Sequence, residues 1–340
     1  LSGLLLAYRL KKAGIPFKVL EARKRLGGRI LTIEDENGTP VEMVATWFHQ
    51  EHRNFIYLLQ ELEIPFYEQF MKGFAFFQAH SDLPAESFIM PDQTPSYRIE
   101  GGSIELIHRL KSKLSEEDIL LDQPVSEIYL YGEHMLVKAK ETFKSQKVAL
   151  ALPTKLWQET IRFSPALPDT LTKLACETHT WIEDSIKVAV TYTSPFWRSD
   201  NKSGTLFSNA GPMTELYDHC NRDVSKYALC GFLHKGYRSV EKVKRRQMVL
   251  QQLEASFGKK ASQFLNYLEL DWSTEWYTSG TLDQLLFPHQ NNGHERFQNG
   301  IFDQQLNLAG TEVSHLLGGY MEGAVYSTIQ VFAKILRSYK

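Results

Sequence analysis

The sequence predicts an α/β protein, in which a doubly wound domain of parallel strands and helices is joined to a second domain of mixed sheet with helices. Three observations carry that expectation. The chain opens on a glycine and an apolar helix that lead into a short buried strand. It closes on a strand, a small-residue turn and a long helix. A strand of alternating pattern, Ile186–Tyr192, lies between the two ends.

The bulk composition agrees with this plan. A chain of 340 residues exceeds one compact core and suits two interleaved domains. Its 43% hydrophobic and 23% charged residues are ordinary globular values. A net charge of −2 supplies no field for a polyanion, so nucleic acid is not an expected partner. The three cysteines, Cys176, Cys220 and Cys230, have no C-x-x-C spacing and read as reduced thiols of a cytosol-like compartment. His49 and His52 are three apart but have no further ligand candidates nearby, so no metal site is expected. No run approaches the ~20 apolar residues that a membrane span requires. Neither a secretory signal nor a hydrophobic C-terminal tail is visible, so a cytoplasmic location is expected. Nothing in the sequence speaks to oligomeric state.

At the N-terminus, Leu1-Ser2-Gly3 and the apolar run over residues 4–10 read as the third glycine of a G-x-G-x-x-G turn with its helix, in a Rossmann-like unit. Gly14 follows as the helix C-cap. Phe17-Lys18-Val19-Leu20 is a buried-strand run closing on Glu21, where an acidic residue in such a fold bonds a ribose hydroxyl. Any βα unit would share the glycine and the helix. Residues 52–62 form an amphipathic helix with Phe55, Leu58, Leu59 and Leu62 on one face. A Gly101-Gly102 turn leads into a helix over 104–114, and Val148-Ala149-Leu150 is a further strand. At the C-terminus, Leu308-Ala309-Gly310-Thr311-Glu312 runs from strand into turn, and Gly318-Gly319-Tyr320-Met321-Glu322 opens the last helix. That geometry aims backbone N–H groups and a positive helix end at an electron-rich ligand.

Two of these blocks carry a resemblance. Glu21-Ala22-Arg23-Lys24-Arg25-Leu26-Gly27-Gly28-Arg29 resembles the second FAD fingerprint of the flavin-containing amine oxidase (monoamine oxidase-like) family. Ala309-Gly310-Thr311-Glu312 with Gly319-Tyr320-Met321-Glu322-Gly323-Ala324 resembles its C-terminal flavin signature. The likeness extends over nearly the whole chain. It implies an FAD-binding doubly wound domain over 1–66, 100–165 and 276–340, and a mixed-sheet α+β substrate domain over 67–99 and 166–275.

The resemblance also implies roles. Gly3 belongs to the dinucleotide turn, Glu21 takes the adenosine ribose, and Ala22, Arg23 and Val125 lie by the adenine end. Gly27, Gly28 and Arg29 approach the pyrophosphate, which a guanidinium suits because it forks onto phosphate oxygens and stays charged. Gly310, Thr311 and Glu312 run along the ribityl chain, and Met321 and Glu322 offer backbone N–H groups to the flavin's pyrimidine edge. Lys187 stands ten residues before Trp197 of a Pro-Phe-Trp element, as the family's active-site lysine does, and holds a water at flavin N5. Trp272 and the segment to Leu282 resemble the stretch facing the flavin. Thr281 stands where membrane-bound members carry the flavin-linked cysteine, which implies non-covalent FAD. Tyr320 is the second ring of the family's aromatic cage, Leu282 stands in place of the first, and Trp276 is a candidate to complete it. The implied reaction is oxidation of an amine to an imine, by hydride transfer to flavin N5, with oxygen as second substrate and hydrogen peroxide as product.

The sequence also departs from the family. No first strand and no first two glycines precede Leu1, so the chain reads as a fragment whose sheet lacks its central strand. Val44 stands where the family has a glycine, and a β-branched residue would not take a positive φ cheaply. Fewer than forty residues separate Leu62 from Gly101, where relatives insert a much longer helical subdomain. These departures keep two alternatives open: a flavin enzyme for a large apolar substrate, of the protoporphyrinogen oxidase or desaturase kind, and a flavoprotein with a lapsed site.

Overall fold

The structure is a computed structural model that describes residues 1–81, 83–91, 94–280 and 286–339. The chain begins with α1 (Ser2–Lys12), β1 (Val19–Leu20), β2 (Thr32–Glu34), β3 (Pro40–Glu42), β4 (Phe48–His49) and α2 (Arg53–Glu61). It continues through β5 (Phe66–Glu68), β6 (Phe74–Gln78), β7 (Glu86–Ile89), β8 (Ser96–Ile99) and α3 (Ile104–Ser112). Next come β9 (Ile119–Leu120), β10 (Glu127–Tyr131), β11 (His134–Lys138), β12 (Thr142–Ser145), β13 (Val148–Leu150), α4 (Thr154–Thr160), β14 (Arg162–Ser164) and α5 (Asp169–Cys176). The remainder is β15 (Ile186–Tyr192), α6 (Phe196–Ser199), β16 (Lys202–Ser208), β17 (Met213–Asp218), β18 (Tyr227–Leu233), α7 (Lys242–Phe257), β19 (Tyr267–Asp271), β20 (Leu306–Leu308) and α8 (Met321–Tyr339).

The first part holds two parallel strand pairs, β1–β9 and β13–β20, and among the described residues no strand pairing joins one to the other. Helices α1, α2, α3 and α8 pack together through Leu4, Leu5, Phe55, Leu59, Leu106, Leu110 and Val325. Gly14 closes α1 as expected: Ile15 N–H donates to Leu10 O at 3.0 Å and Gly14 N–H to Lys11 O at 3.1 Å, the paired bonds of a glycine C-cap. The helix expected over 52–62 spans Arg53–Glu61, with His52 and Leu62 as its caps.

The second part is a seven-stranded sheet of order β19-β15-β18-β17-β16-β6-β7, antiparallel except where β16 meets β6. One face packs on α6 and α7 through Val188, Val190, Leu216, Leu229, Leu233, Val249 and Leu253. Ala189, Ala228 and Cys230 lie on the other face against Val41 and Met43. Smaller sheets, β12-β11-β10-β14 and β4-β8-β5, and the β2–β3 hairpin surround the junction. Strand β17 carries a bulge: Met213 stands opposite Leu233 but Glu215 opposite Phe232, leaving Thr214 as the extra residue. Among the described residues, no helix is long and apolar enough to cross a membrane.

The base of this sheet is tied by Asp218, which is 1% exposed. Its carboxylate accepts from Trp197 Nε1 at 2.7 Å and takes both Nε and Nη2 of Arg198, each at 2.7 Å. Asp218→Ala strands a partly buried guanidinium and an indole N–H, which costs about 3–5 kcal/mol. The expected result is a lower thermal midpoint. A midpoint within a degree of the parent would show the triad to be dispensable.

Candidate active site

A cavity of about 1690 Å³ runs from the inner edges of β1 and β13 to the Lys187 face of the seven-stranded sheet. That exceeds the ~300–1,000 Å³ typical of a small-ligand pocket and is large enough for a dinucleotide with a chamber beyond it.

The end of the cavity beside β1 is built by short turns. Glu21 follows β1, its N–H donating to Leu120 O at 2.9 Å, and its Oε1 accepts from Arg23 N–H at 2.9 Å. The Arg23 guanidinium turns to the opposite wall, donating to Thr278 Oγ1 at 2.7 Å and Tyr277 O at 3.1 Å, and pairing with Glu275 at 3.2 Å. Gly27 has φ 107°, and a Cβ there would stand 2.4 Å from Ile30 O. Only glycine fits that turn. A Cβ on Gly28 would meet nothing within 4 Å, so this backbone faces open cavity. Arg29 Nη1 lies 2.6 Å from Glu312 Oε1. Both Glu312 oxygens are nonetheless buried without a hydrogen bond of good geometry among the described residues. Gly3, Ala22 and Val125 line the same wall, with Gly310 and Thr311 across from them. Thr311 Oγ1 donates to Tyr320 O at 2.7 Å, tying the turn after β20 to the start of α8.

At α8, Tyr320 and Met321 line the cavity, whereas the Glu322 side chain points away. It is fully buried and accepts from Phe55 N–H at 2.7 Å, Asn54 N–H at 3.2 Å and Asn54 Nδ2 at 2.5 Å. A carboxylate at the N-terminus of α2 satisfies donors that the helix cannot pair internally. Nothing in the sequence spacing signals this cap, because its partners lie 267 and 268 residues away.

Lys187 sits fully buried in β15, behind the cavity wall. Its Nζ donates to Val44 O at 2.7 Å and Thr46 Oγ1 at 2.6 Å, and rests over the rings of Phe232 and Trp47 at 4.9 and 5.1 Å. Burial pushes its pKa below the usual amine value, against the opposing pull of Cys230, Glu42 and Glu215. Val44 needs no positive φ here, because its carbonyl is turned to Lys187 and its side chain joins a small core with Ile182. Trp272 belongs to the same core: it is fully buried and donates Nε1–H to Met43 O at 2.8 Å. It therefore supports the 43–46 segment from behind and does not line the cavity.

The ring that accompanies Tyr320 is not the expected one. Trp276 is 86% exposed at the cavity margin and makes no ring contact with Tyr320. Instead His289 stacks on Tyr320 at 5.5 Å and 12°, and on its other face lies against Trp181 at 4.7 Å and 16°. His289 Nδ1 is held by Gly318 O at 2.9 Å. His289 lies in no recognisable motif, and only the fold brings it to Tyr320. Thr281 and Leu282 lie outside the described residues. Toward the sheet, the cavity continues past Trp47 to Thr214, Glu215, Tyr217 and Phe232, residues that no sequence motif marks.

The residues present fit FAD. Buried, unsatisfied acceptors on Glu312 suit hydroxyl donors of a ribityl chain, Arg29 suits a phosphate, and the Gly27-Gly28 turn presents bare backbone to both. Comparison with known proteins agrees. The profile of flavin-containing amine oxidoreductases matches residues 1–82 and 66–336. The chain is 29% identical over 247 residues to a probable flavin-containing monoamine oxidase A of Dictyostelium discoideum, covering 70% of this chain and 53% of that protein. It is 28% identical over 216 residues to a putrescine oxidase of Kocuria rosea, covering 59% and 44%. The chain thus spans about half the length of the curated relatives it matches. A solved structure of a putrescine oxidase bound to putrescine superposes with a TM-score of 0.86 at 20% identity, over 99% of this chain and 97% of that one, and so shares the fold. The chain belongs to the flavin-containing amine oxidoreductase family.

Proposed function

We propose that this chain binds FAD non-covalently and oxidises an amine to an imine. The observation that carries the reading is convergence: Glu21, the Gly27–Arg29 turn and the Gly310–Glu312 turn, far apart in sequence, face one cavity that continues to an aromatic chamber. Bound FAD would supply the acceptor for a hydride equivalent from the amine's α-carbon, with oxygen as the terminal oxidant and hydrogen peroxide as its product. Segments 1–66, 100–165 and 276–340 hold the cofactor, and 67–99 with 166–275 supply the substrate side.

Each residue's part follows from its surroundings. Glu21 takes the ribose, and Arg29 with Glu312 holds the pyrophosphate and ribityl chain by charge and hydrogen bonds. The free N–H groups opening α8 at Met321 and Glu322 present a positive end that stabilises negative charge on the reduced ring. Tyr320 and Trp181 supply apolar walls that exclude water and favour a neutral amine. Lys187 fixes the Val44–Thr46 wall and orients a water toward the reacting face.

Lys187→Met should therefore leave flavin bound while slowing its reoxidation on the order of 10²-fold, the cost of losing one preorganised donor. Stopped-flow mixing of the reduced protein with oxygen reads this directly, and an unchanged rate removes Lys187 from the mechanism. The reading as a whole is tested by the visible spectrum of the purified protein under argon, before and after addition of primary and secondary amines. Bleaching of an oxidised-flavin band supports it. A flavin band that no amine bleaches overturns it.

A further inference from the structure

We propose that His289 is a specificity-determining residue: its imidazole fills a slot between two parallel rings of the cavity wall, Trp181 and Tyr320, and so keeps a flat aromatic group of the amine out of it. This deepens the oxidase reading, and the statement about the amine rests on that reading.

Three distant stretches build the slot. Trp181 comes from the connection between α5 and β15, His289 from the connection between β19 and β20, and Tyr320 from the turn that opens α8. Trp181 and Tyr320 line the cavity. The imidazole lies nearly parallel to both, at 16° and 12°, and the two outer rings make no contact with each other among the described residues. They stand one ring apart, the separation at which a flat group gains an aromatic face on either side.

More than stacking holds the imidazole there. Gly318 O can only accept, so the 2.9 Å contact places a proton on His289 Nδ1. The ring rests on bare backbone, because a Cβ on Gly319 would stand 2.7 Å from its Nδ1 and Cε1. His289 N–H donates to His179 Nδ1 at 3.2 Å, and His179 N–H donates to Gln290 O at 3.1 Å. Gln290 Nε2 and Asn291 Nδ2 both donate to Glu177 O, at 3.1 and 2.9 Å. These bonds stitch residues 289–291 to residues 177–179, which lead directly into Trp181. His289 also takes φ 62°, a left-handed conformation unfavourable to a residue with a side chain, and the surrounding bonds hold it. An imidazole fixed on both faces, at one nitrogen and through its backbone is a built filler of the slot. A substrate ring can enter only by displacing it, whereas an alkyl chain does not need the slot at all.

The experiment uses the flavin-loaded protein and its His289→Ala, His289→Asn and His289→Phe variants. Asparagine keeps a side-chain donor for Gly318 O while removing the ring, so the turn stays tied even if alanine unfolds it. Phenylalanine refills the slot without that bond. Calorimetry measures imidazole binding at about pH 8, where free imidazole is mostly neutral. The Ala and Asn variants should show an imidazole site that the parent and the Phe variant lack, as a cavity left by truncation binds a molecule of the lost shape. The ratio of kcat/KM for 2-phenylethylamine to that for butylamine should rise roughly 10-fold in the same two variants, the worth of stacking on two aromatic faces. Added imidazole should return the ratio toward the parent value, and the Phe variant should keep it throughout. No imidazole site in either truncated variant overturns the slot. An imidazole site with an unchanged amine ratio overturns its role in specificity. If neither amine is oxidised by any form, the oxidase reading falls, and the imidazole titration still decides the slot.

Discussion

Gly27→Val should yield a protein with native helix content that purifies without flavin. The turn at Gly27 has φ 107° and is closed by an Ile30 N–H bond to Gly27 O at 3.0 Å. A Cβ would stand 2.4 Å from Ile30 O, which is backbone and cannot swing aside. A β-branched residue adds a conformational cost of about 1–3 kcal/mol at positive φ. The turn must open, and it carries with it Gly28, which faces the cavity, and Arg29, which pairs with Glu312 at 2.6 Å, the groups proposed above to hold the phosphate. Flavin affinity should fall at least 100-fold, roughly the loss of two charge-assisted contacts. The ratio of flavin to protein absorbance, followed by reconstitution with added FAD, measures it. Native flavin content would show that this turn does not hold the cofactor.

Gly231→Ala is expected to have a comparably large effect on stability. Gly231 lies in the middle of β18, and the bulged strand beside it comes so close that a Cβ would stand 2.0 Å from Glu215 O and 2.8 Å from Leu216 Cα. Both obstacles are backbone, so relief requires β17 and β18 to separate at the centre of the sheet. Overpacking of this kind costs about 3 kcal/mol or more. Thermal unfolding should show a clearly lower midpoint. A midpoint equal to that of the parent would mean that the bulge tolerates a side chain and is not sterically locked by this glycine.

These two glycines also mark how far the fold could be read from sequence. Gly27 was legible because it sits in a recognisable string, Glu21 to Arg29, whose residues meet one another within a single turn. The same holds for Gly14 as a helix cap, for β15 as an alternating strand, and for the Gly319–Ala324 entry into α8. Gly231 carried no such mark. Its necessity comes from a neighbouring strand whose register is shifted by one residue.

The site divides along the same line. The sequence by itself determined the family and the α/β plan, and it marked the 21–29 and 310–312 turns that the structure brings to one cavity. Only the tertiary structure decided the surroundings of the substrate. It put Trp272 behind Met43, left Trp276 exposed, stacked His289 between Trp181 and Tyr320, and turned the Glu322 carboxylate to cap α2. It also moved Glu215 from the core side of the sheet to the cavity side. The physical reason is that strand register and side-chain packing join residues that are distant in sequence, from 17 positions for Glu215 and Phe232 to 267 for Phe55 and Glu322. A one-residue slip in that register exchanges a buried face for an open one, and no local pattern in the chain records which way it goes.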